Sequence, residues 1–598
     1  MPERVAAPAP AIQPPDDPRR RLPARSRLAW ALVGVLAAMW GAAGATPAMA
    51  STKQQAIFQD DDLLIYNTTA GTVSTLETLA SLGVKSIRVS VFWRLIAPDA
   101  LSKTRPAGFN AADPAAYPSG SWSRYDQVVT FAQALGISVN LDITSPAPLW
   151  ATGTPDRADI AATYHPSPAE FAGFVHAVGS RYSGAYVVPP AAPALAPAPA
   201  AAPTRAPNLI EALLGINPNG SGSKPVPPPP PPLPPATVLP RVNSWSVWNE
   251  PNQAGWLTPQ WAPDSTGRLR ETSPALYRGL VDAAYAQLQQ TGHAADTILI
   301  GETAPKGVNA QGETRAIKPL RFIRDLYCLD TRNHVLRGSA AARMGCPTTA
   351  RLAAGFPAAH PALFRATGWA HHPYELTFGP SVRLADPDYI TIANLGRLGS
   401  VLDAAQRAYH KSRRLPYYLT EFGYMTSPPA DAGVTLTQQS AYLNQAEFIA
   451  YSNGRVRDLS QFLLVDAPPI ACTRCSKPGS TAASFETGLE FGGGRQKPSF
   501  NAYRMPIFLP QSTVRRGSTL RVWGMVRPAP GGASQRVSIE FRSGTTGAFK
   551  RLALVRTRSH PAYLDTRVHL PRSGQLRLAW RAPSGALLHS RNVNAVAR

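Results

Sequence analysis

The chain has 598 residues, enough for a large barrel and at least one further domain and too many for a single small module. Apolar residues make up 44% and charged residues only 16%, with 45 Gly and 61 Pro, so most of the chain should fold and unfolded stretches should follow the prolines. Four cysteines exclude a disulfide scaffold, and they lack the paired spacing and histidines of a structural zinc site.

A formal charge of +23 invites polyanionic partners, and its position matters more than its size. Residues 509–598 carry sixteen Arg or Lys against only Glu540 and Asp565, while the longer segment before them is nearly balanced. No helix-turn-helix, zinc-finger or RNP pattern accompanies the charge, so the expectation is no nucleic acid partner. Arginine used for solubility is the plain reading; attachment to anionic cell-envelope polymers through 509–598 is the functional one.

At the N-terminus, Arg19, Arg20, Arg21, Arg25 and Arg27 precede the apolar run Leu28 to Ala45, and Ala48-Met49-Ala50 supplies small residues before Ser51. That is the pattern of a secretory signal peptide over 1–50, with an uncleaved anchor as the alternative. No other stretch is long and apolar enough to span a bilayer, and export places the chain outside the cytoplasm. There Cys328 with Cys346 and Cys472 with Cys475 become candidate disulfides, the alternative being unpaired thiols.

From Gln55 onward, short β-branched runs alternate with amphipathic helical stretches. Eight strands are expected, at 63–66, 86–92, 138–143, 244–248, 297–300, 368–371, 417–420 and 461–465. Helices are expected at 125–135, 168–182, 274–290, 318–329, 393–409 and 438–452. This pattern over 51–508 suggests a (β/α)8 TIM barrel with insertions. A doubly wound sheet is the alternative, weakened for dinucleotide binding because no G-x-G-x-x-G follows the first strand. Residues 187–236, rich in Pro and Ala and including the run Pro227 to Pro232, should be polyproline-like or disordered and form a surface excursion, with a boundary between two domains as the alternative. After Pro510 the helical pattern stops. Alternating apolar and polar runs over 509–598 suggest an antiparallel, immunoglobulin-like β-sandwich.

Two segments carry chemistry. Trp245-Ser246-Val247-Trp248-Asn249-Glu250-Pro251-Asn252 ends a strand in a carboxylate, and Pro251 cannot extend the ladder, so Glu250 should stand where strand turns to loop. Tyr417-Tyr418-Leu419-Thr420-Glu421-Phe422-Gly423-Tyr424 repeats the arrangement at the seventh strand, with Gly423 permitting close backbone approach. In a barrel the C-terminal strand ends form the active face. Two carboxylates facing one cavity there are what glycosidic cleavage needs: one protonates the leaving oxygen, the other attacks the anomeric carbon or activates water.

The order of these motifs resembles the clan A retaining glycoside hydrolases over residues 55–507. Trp248-Asn249-Glu250-Pro251-Asn252 looks most like the β-xylosidase and α-iduronidase branch; Ile87-Arg88-Val89, His372-Pro373-Tyr374, and Gly488-Leu489 with Lys497-Pro498 resemble further clan positions. The resemblance implies a retaining enzyme acting on a polysaccharide or oligosaccharide without a cofactor or metal, and the leader pattern adds that it is secreted. Glu250 would be acid/base, Glu421 nucleophile and Asn249 a partner of the sugar 2-hydroxyl; Tyr374 would position Glu421, and Arg88 would keep it ionised. His372 completes the implied set.

Two departures leave the sugar open: Asp142-Ile143-Thr144-Ser145 stands where some branches carry histidine, and Val465-Asp466-Ala467-Pro468 where others carry tryptophan. Glu302, Asp142 and Asp466 are further rim carboxylates, expected as substrate contacts or structural acceptors. Trp93, Trp150 and Trp256 are candidate sugar-stacking platforms, with core packing as the competing expectation. A non-catalytic carbohydrate-binding or envelope-associated barrel is the alternative function.

Overall fold

The computed structural model describes residue 51 and residues 54–598, apart from 190–229, 231–232, 235, 431–432, 469, 472–480, 483–484, 532 and 559–560. The leader at 1–50, most of the proline-rich insertion, and Cys472 with Cys475 lie outside the described residues.

Eight parallel strands close into a barrel: β1 (Gln55–Gln59), β2 (Ser86–Phe92), β3 (Ser138–Thr144), β4 (Ser244–Val247), β5 (Thr297–Thr303), β6 (Gly368–His371), β7 (Tyr417–Leu419) and β8 (Val456–Phe462). Each pairs with its neighbours in sequence, and β8 closes on β1 with Gln55 opposite Asp458 and Gln59 opposite Phe462. The helices that follow most strands include α1 (Thr69–Ser81), α2 (Ser123–Ala134), α3 (Pro168–Arg181), α4 (Ser273–Gln290), α5 (Pro319–Leu326), α6 (Gly396–Ala408) and α7 (Leu436–Tyr451). β2 shows why the barrel forms. All seven of its residues are buried; Ile87, Val89 and Val91 alternate with Arg88, whose bonds run across the lumen, as the two-residue period requires.

Two expected strands are corrected. The first is 55–59 rather than 63–66, because Asp60 accepts from the Leu63 N–H at 3.1 Å and caps a short helix, Asp61–Leu64, that takes up the apolar run. The last begins at Val456, five residues before the expected start, and ends at Phe462. The helix Thr69–Ser81 was not expected; Thr68 caps it through the Gly71 N–H.

The proline-rich excursion has a closed neck. Val187 bridges Val238 antiparallel, and the Val188 N–H donates to the Thr237 carbonyl at 2.9 Å, so the chain leaves and returns at one point between α3 and β4. Cys328 and Cys346 are disulfide-bonded, tying the end of α5 to the loop beyond it. Arg278 on α4 donates to the carbonyls of Asp325, Leu326 and Gly345, satisfying the C-terminal end of α5.

The C-terminal strands are β9 (Ile507–Phe508), β10 (Thr513–Val514), β11 (Thr519–Met525), β12 (Arg536–Ser543), β13 (Lys550–Arg556), β14 (Tyr563–His569), β15 (Gly574–Arg581), β16 (Leu587–His589) and β17 (Val593–Ala597). They form two sheets, β9-β11-β14 and β10-β17-β15-β12-β13 with β16 beside β15. Leu520, Val522, Leu564 and Val568 from one sheet pack with Val537, Ile539, Leu576 and Leu578 from the other. Pairing is antiparallel except for β10, which lies parallel to β17. The sandwich sits on α7: Tyr451 joins Trp523, Met525 and Tyr563 in a small cluster, and buried Arg527 pairs with Glu447 at 2.5 Å.

Candidate active site

Glu250 and Glu421 emerge from the C-terminal ends of β4 and β7 and meet. One carboxylate oxygen of each and a ring nitrogen of His372 all lie within 4.8 Å of one another. Retaining glycosidases hold their carboxyl groups about 5–5.5 Å apart, and inverting ones about 6.5–9.5 Å.

Local backbone geometry aims these groups. Trp248, Glu250 and Glu302 all have left-handed backbones, with φ of 65°, 35° and 43°. Such conformations cost about 1–3 kcal/mol each and persist only where the surroundings over-determine them. Here they do: the Glu250 N–H donates to the Glu302 carbonyl at 2.9 Å, and the Asn249 N–H to Thr144 Oγ1 at 2.9 Å. Tyr277 fastens the same corner, donating to the Val247 carbonyl at 3.0 Å and accepting from the Gly301 N–H at 2.7 Å. At Gly423 a Cβ would stand 2.9 Å from the Thr487 Cβ and 3.3 Å from the Phe462 carbonyl, so the chain after Glu421 has no room for a side chain.

Beneath the two glutamates lies a buried network centred on Arg88, which is fully buried. One of its nitrogens donates to Glu421 at 2.7 Å and Gln59 at 2.6 Å; the other reaches Asp142 at 2.9 Å, Asn249 at 2.7 Å and Glu302 at 3.2 Å. His372, equally buried, sits 2.9 Å from Glu250 through Nδ1 and 2.8 Å from Glu302 through Nε2, with Glu421 at 3.5 Å from Nδ1. Tyr374 donates to the other oxygen of Glu421 at 3.2 Å, and Thr420 donates to Glu302 at 2.6 Å.

The charges follow from this crowding. Burial alone would neutralise His372, but Glu421, Glu250 and Glu302 together hold it up to about 10, so it is an imidazolium at neutral pH with both N–H groups donating. Burial would also raise Glu302; Arg88 and His372 outweigh that and hold it at about 2. One guanidinium cannot do the same for every buried carboxylate. At Asp142 burial wins over Arg88, and the carboxyl is pushed up to about 8. Glu250 is raised above the usual carboxylate range by burial, against the opposing pull of His372, as a proton donor requires.

Glu250, His372 and Glu421 have the spacing of a metal-ligand trio. The imidazolium has no lone pair to give, and its two N–H groups are taken by Glu250 and Glu302, so the trio fits proton sharing better than metal binding. Neighbouring His371 is different in kind: between Thr303 at 2.9 Å and the Ile390 carbonyl at 3.0 Å it is lowered to about 3 by burial and stays neutral.

Of the sequence-derived site residues, Arg88, Asn249, Glu250, His372, Tyr374 and Glu421 are brought together. Arg88 and His372, 0% exposed, contact the glutamates directly, Asn249, 1% exposed, accepts from Arg88 at 2.7 Å, and Glu250, Tyr374 and Glu421 retain 5–7% exposure. The tryptophans require a correction. Trp93 and Trp256 are fully buried and offer no indole face. Trp93 stacks on Phe174 at 5.6 Å, and half-buried Trp150 packs edge-on against Trp93 while donating to the Pro98 carbonyl. Glu302 and Asp142 are likewise fully buried acceptors, and Asp466 is paired with buried Lys497 at 2.6 Å. Gln59, Thr144, Tyr277 and Thr420 were missed; no spacing marks a single polar residue as facing a lumen.

No family model matches the chain, and no curated protein matches it. Similar solved structures include a monomeric β-xylosidase from Caulobacter crescentus, 13% identical over 92% of this chain and 95% of that one with a TM-score of 0.41. An endo-β-1,4-mannanase from Thermotoga petrophila is 10% identical, covering 92% and 99%, with a TM-score of 0.34. A family 51 α-L-arabinofuranosidase from Bifidobacterium longum is 11% identical, covering 88% and 97%, with a TM-score of 0.38.

Proposed function

We propose that the chain is a retaining glycoside hydrolase that cleaves O-glycosidic bonds in a polysaccharide or oligosaccharide. The observation that carries this is the approach of one carboxylate oxygen of Glu250 to one of Glu421, within 4.8 Å, at one end of the barrel. Glu421, paired with Arg88 at 2.7 Å and oriented by Tyr374, attacks the anomeric carbon while Glu250 gives its proton to the departing oxygen; the C–O bond breaks and a glycosyl ester forms on Glu421. Glu250, now a carboxylate, takes a proton from water as that water attacks the same carbon, and Glu421 leaves as carboxylate. The imidazolium of His372, 2.9 Å from Glu250, stabilises the negative charge that Glu250 acquires between the two steps.

Activity outside the cytoplasm belongs to the same reading. It is supported by the leader pattern at 1–50 and by the Cys328–Cys346 disulfide, a bond that persists in oxidising compartments.

The test is a panel of aryl glycosides and polysaccharides assayed with three proteins. Glu421→Gln should lose at least about 10⁴-fold in rate on every substrate cut by the parent. Glu250→Gln should slow poor leaving groups far more than activated ones and accumulate a glycosyl-enzyme visible by mass spectrometry. Parent-like hydrolysis by Glu421→Gln would end the proposal.

A further inference from the structure

The outer face of the larger, six-stranded sheet of the sandwich gathers arginines from three neighbouring strands. The register fixes what lies on it. Val537 and Ile539 of β12 and Leu576 and Leu578 of β15 point into the core, so Arg536, Arg542, Arg577 and Arg581 point out, joined from β13 by Arg551 and Arg556. Glu540 is the acidic residue among them, paired with Arg577 at 2.7 Å. Two further features argue against arginine used merely for solubility. Arg536 and Arg556 stand directly opposite across the β12–β13 ladder, both exposed, a like-charge pair that destabilises a sheet. The side chains of Arg536, Arg551 and Arg556 make no hydrogen bond or ion pair among the described residues, although Arg551 stands opposite Glu540 in the ladder, whereas Arg542 and Arg577 are held over the Phe549 ring at 4.6 and 4.1 Å.

A sheet that sets unpaired positive charges opposite one another gains if an external polyanion lies across them. Outward residues recur about every 7 Å along a strand and about 4.8 Å between strands, a spacing a chain of regularly placed anionic groups can follow. We propose that this face, centred on Arg536, Arg551 and Arg556, docks an acidic, carboxylate-bearing polysaccharide and so holds the barrel on a charged glycan matrix. The choice of a polysaccharide over a nucleic acid rests on the reading of the barrel as a glycosidase; the existence of the surface does not.

The test uses the full chain carrying Glu421→Gln, so that no probe is cut, and measures retention on immobilised polygalacturonate, neutral dextran and duplex DNA between about 0.05 and 1 M salt. The expected result is retention on polygalacturonate at low salt, release at high salt and none on dextran. Adding Arg536→Ser and Arg556→Ser should weaken retention about tenfold, with no fall in melting temperature. The equal charge change Arg332→Ser with Arg351→Ser, on exposed barrel residues, should leave it unaltered. No retention at low salt, an equal loss with the barrel pair, or tighter retention on DNA than on polygalacturonate would each overturn the proposal. Hydrolysis of small aryl glycosides by the chain with Glu421 intact reads the barrel separately, so either claim can fail without the other.

Discussion

Arg88 in the barrel and Arg536 and Arg556 in the sandwich place the same side chain in opposite surroundings. Arg88 is fully buried and donates to Gln59, Asp142, Asn249, Glu302 and Glu421. Arg536 and Arg556 are exposed, partnerless and set against each other. A buried guanidinium organises carboxylates because desolvation makes every missing partner expensive; an exposed one is cheap to leave unpaired and is screened by salt. The first kind shapes a reaction centre, the second an attachment surface.

The comparison breaks most sharply at Arg88. Arg88→Met should destabilise the chain by about 3–5 kcal/mol, because Glu302 and Glu421 lose their shared cation, while Arg556→Met should stay within about 0.5 kcal/mol of the parent. Denaturant unfolding measures both, and equal effects would remove the distinction. Within the barrel, Tyr374→Phe takes one charge-assisted hydrogen bond from Glu421 and should lower kcat/KM about ten- to a hundredfold with little loss of stability.

pH sharpens the same contrast. His372, held up to about 10 in the folded chain against 6.5 ordinarily, contributes stability that is complete below about pH 6.5 and lost as pH rises through about 10. Glu302, held at about 2 against 4.5, contributes stability that is present above about pH 4.5 and lost as pH falls through about 2. Melting temperature should therefore fall at both extremes, and His372→Gln should flatten the alkaline side. The smallest effect belongs to the sandwich face: Arg536→Ser should raise stability by a few tenths of a kcal/mol at low salt and by nothing at about 1 M.

Much of the site is legible in the sequence. Asn249-Glu250-Pro251 and Thr420-Glu421-Phe422-Gly423 end their strands where an acidic residue meets a chain-breaking or space-saving neighbour, and that local chemistry survives folding. Leu63–Tyr66 misled because an apolar run reads equally as strand or helix, and one capping bond from Asp60 decided for helix. Trp93 and Trp256 misled because an indole near a rim carries no sign of which way it packs.

The sequence by itself determined the alternation of strands and helices, the two strand-end glutamates, and the concentration of positive charge after residue 509, since each depends on neighbours a few residues apart. Tertiary structure alone decided that Arg88, His372 and Glu302 form one buried network under both glutamates, and that six arginines share one sheet face. Those outcomes depend on barrel closure and strand register, which bring together residues as far apart as Arg88 and Glu421, and no local pattern encodes the dielectric in which a charge will finish.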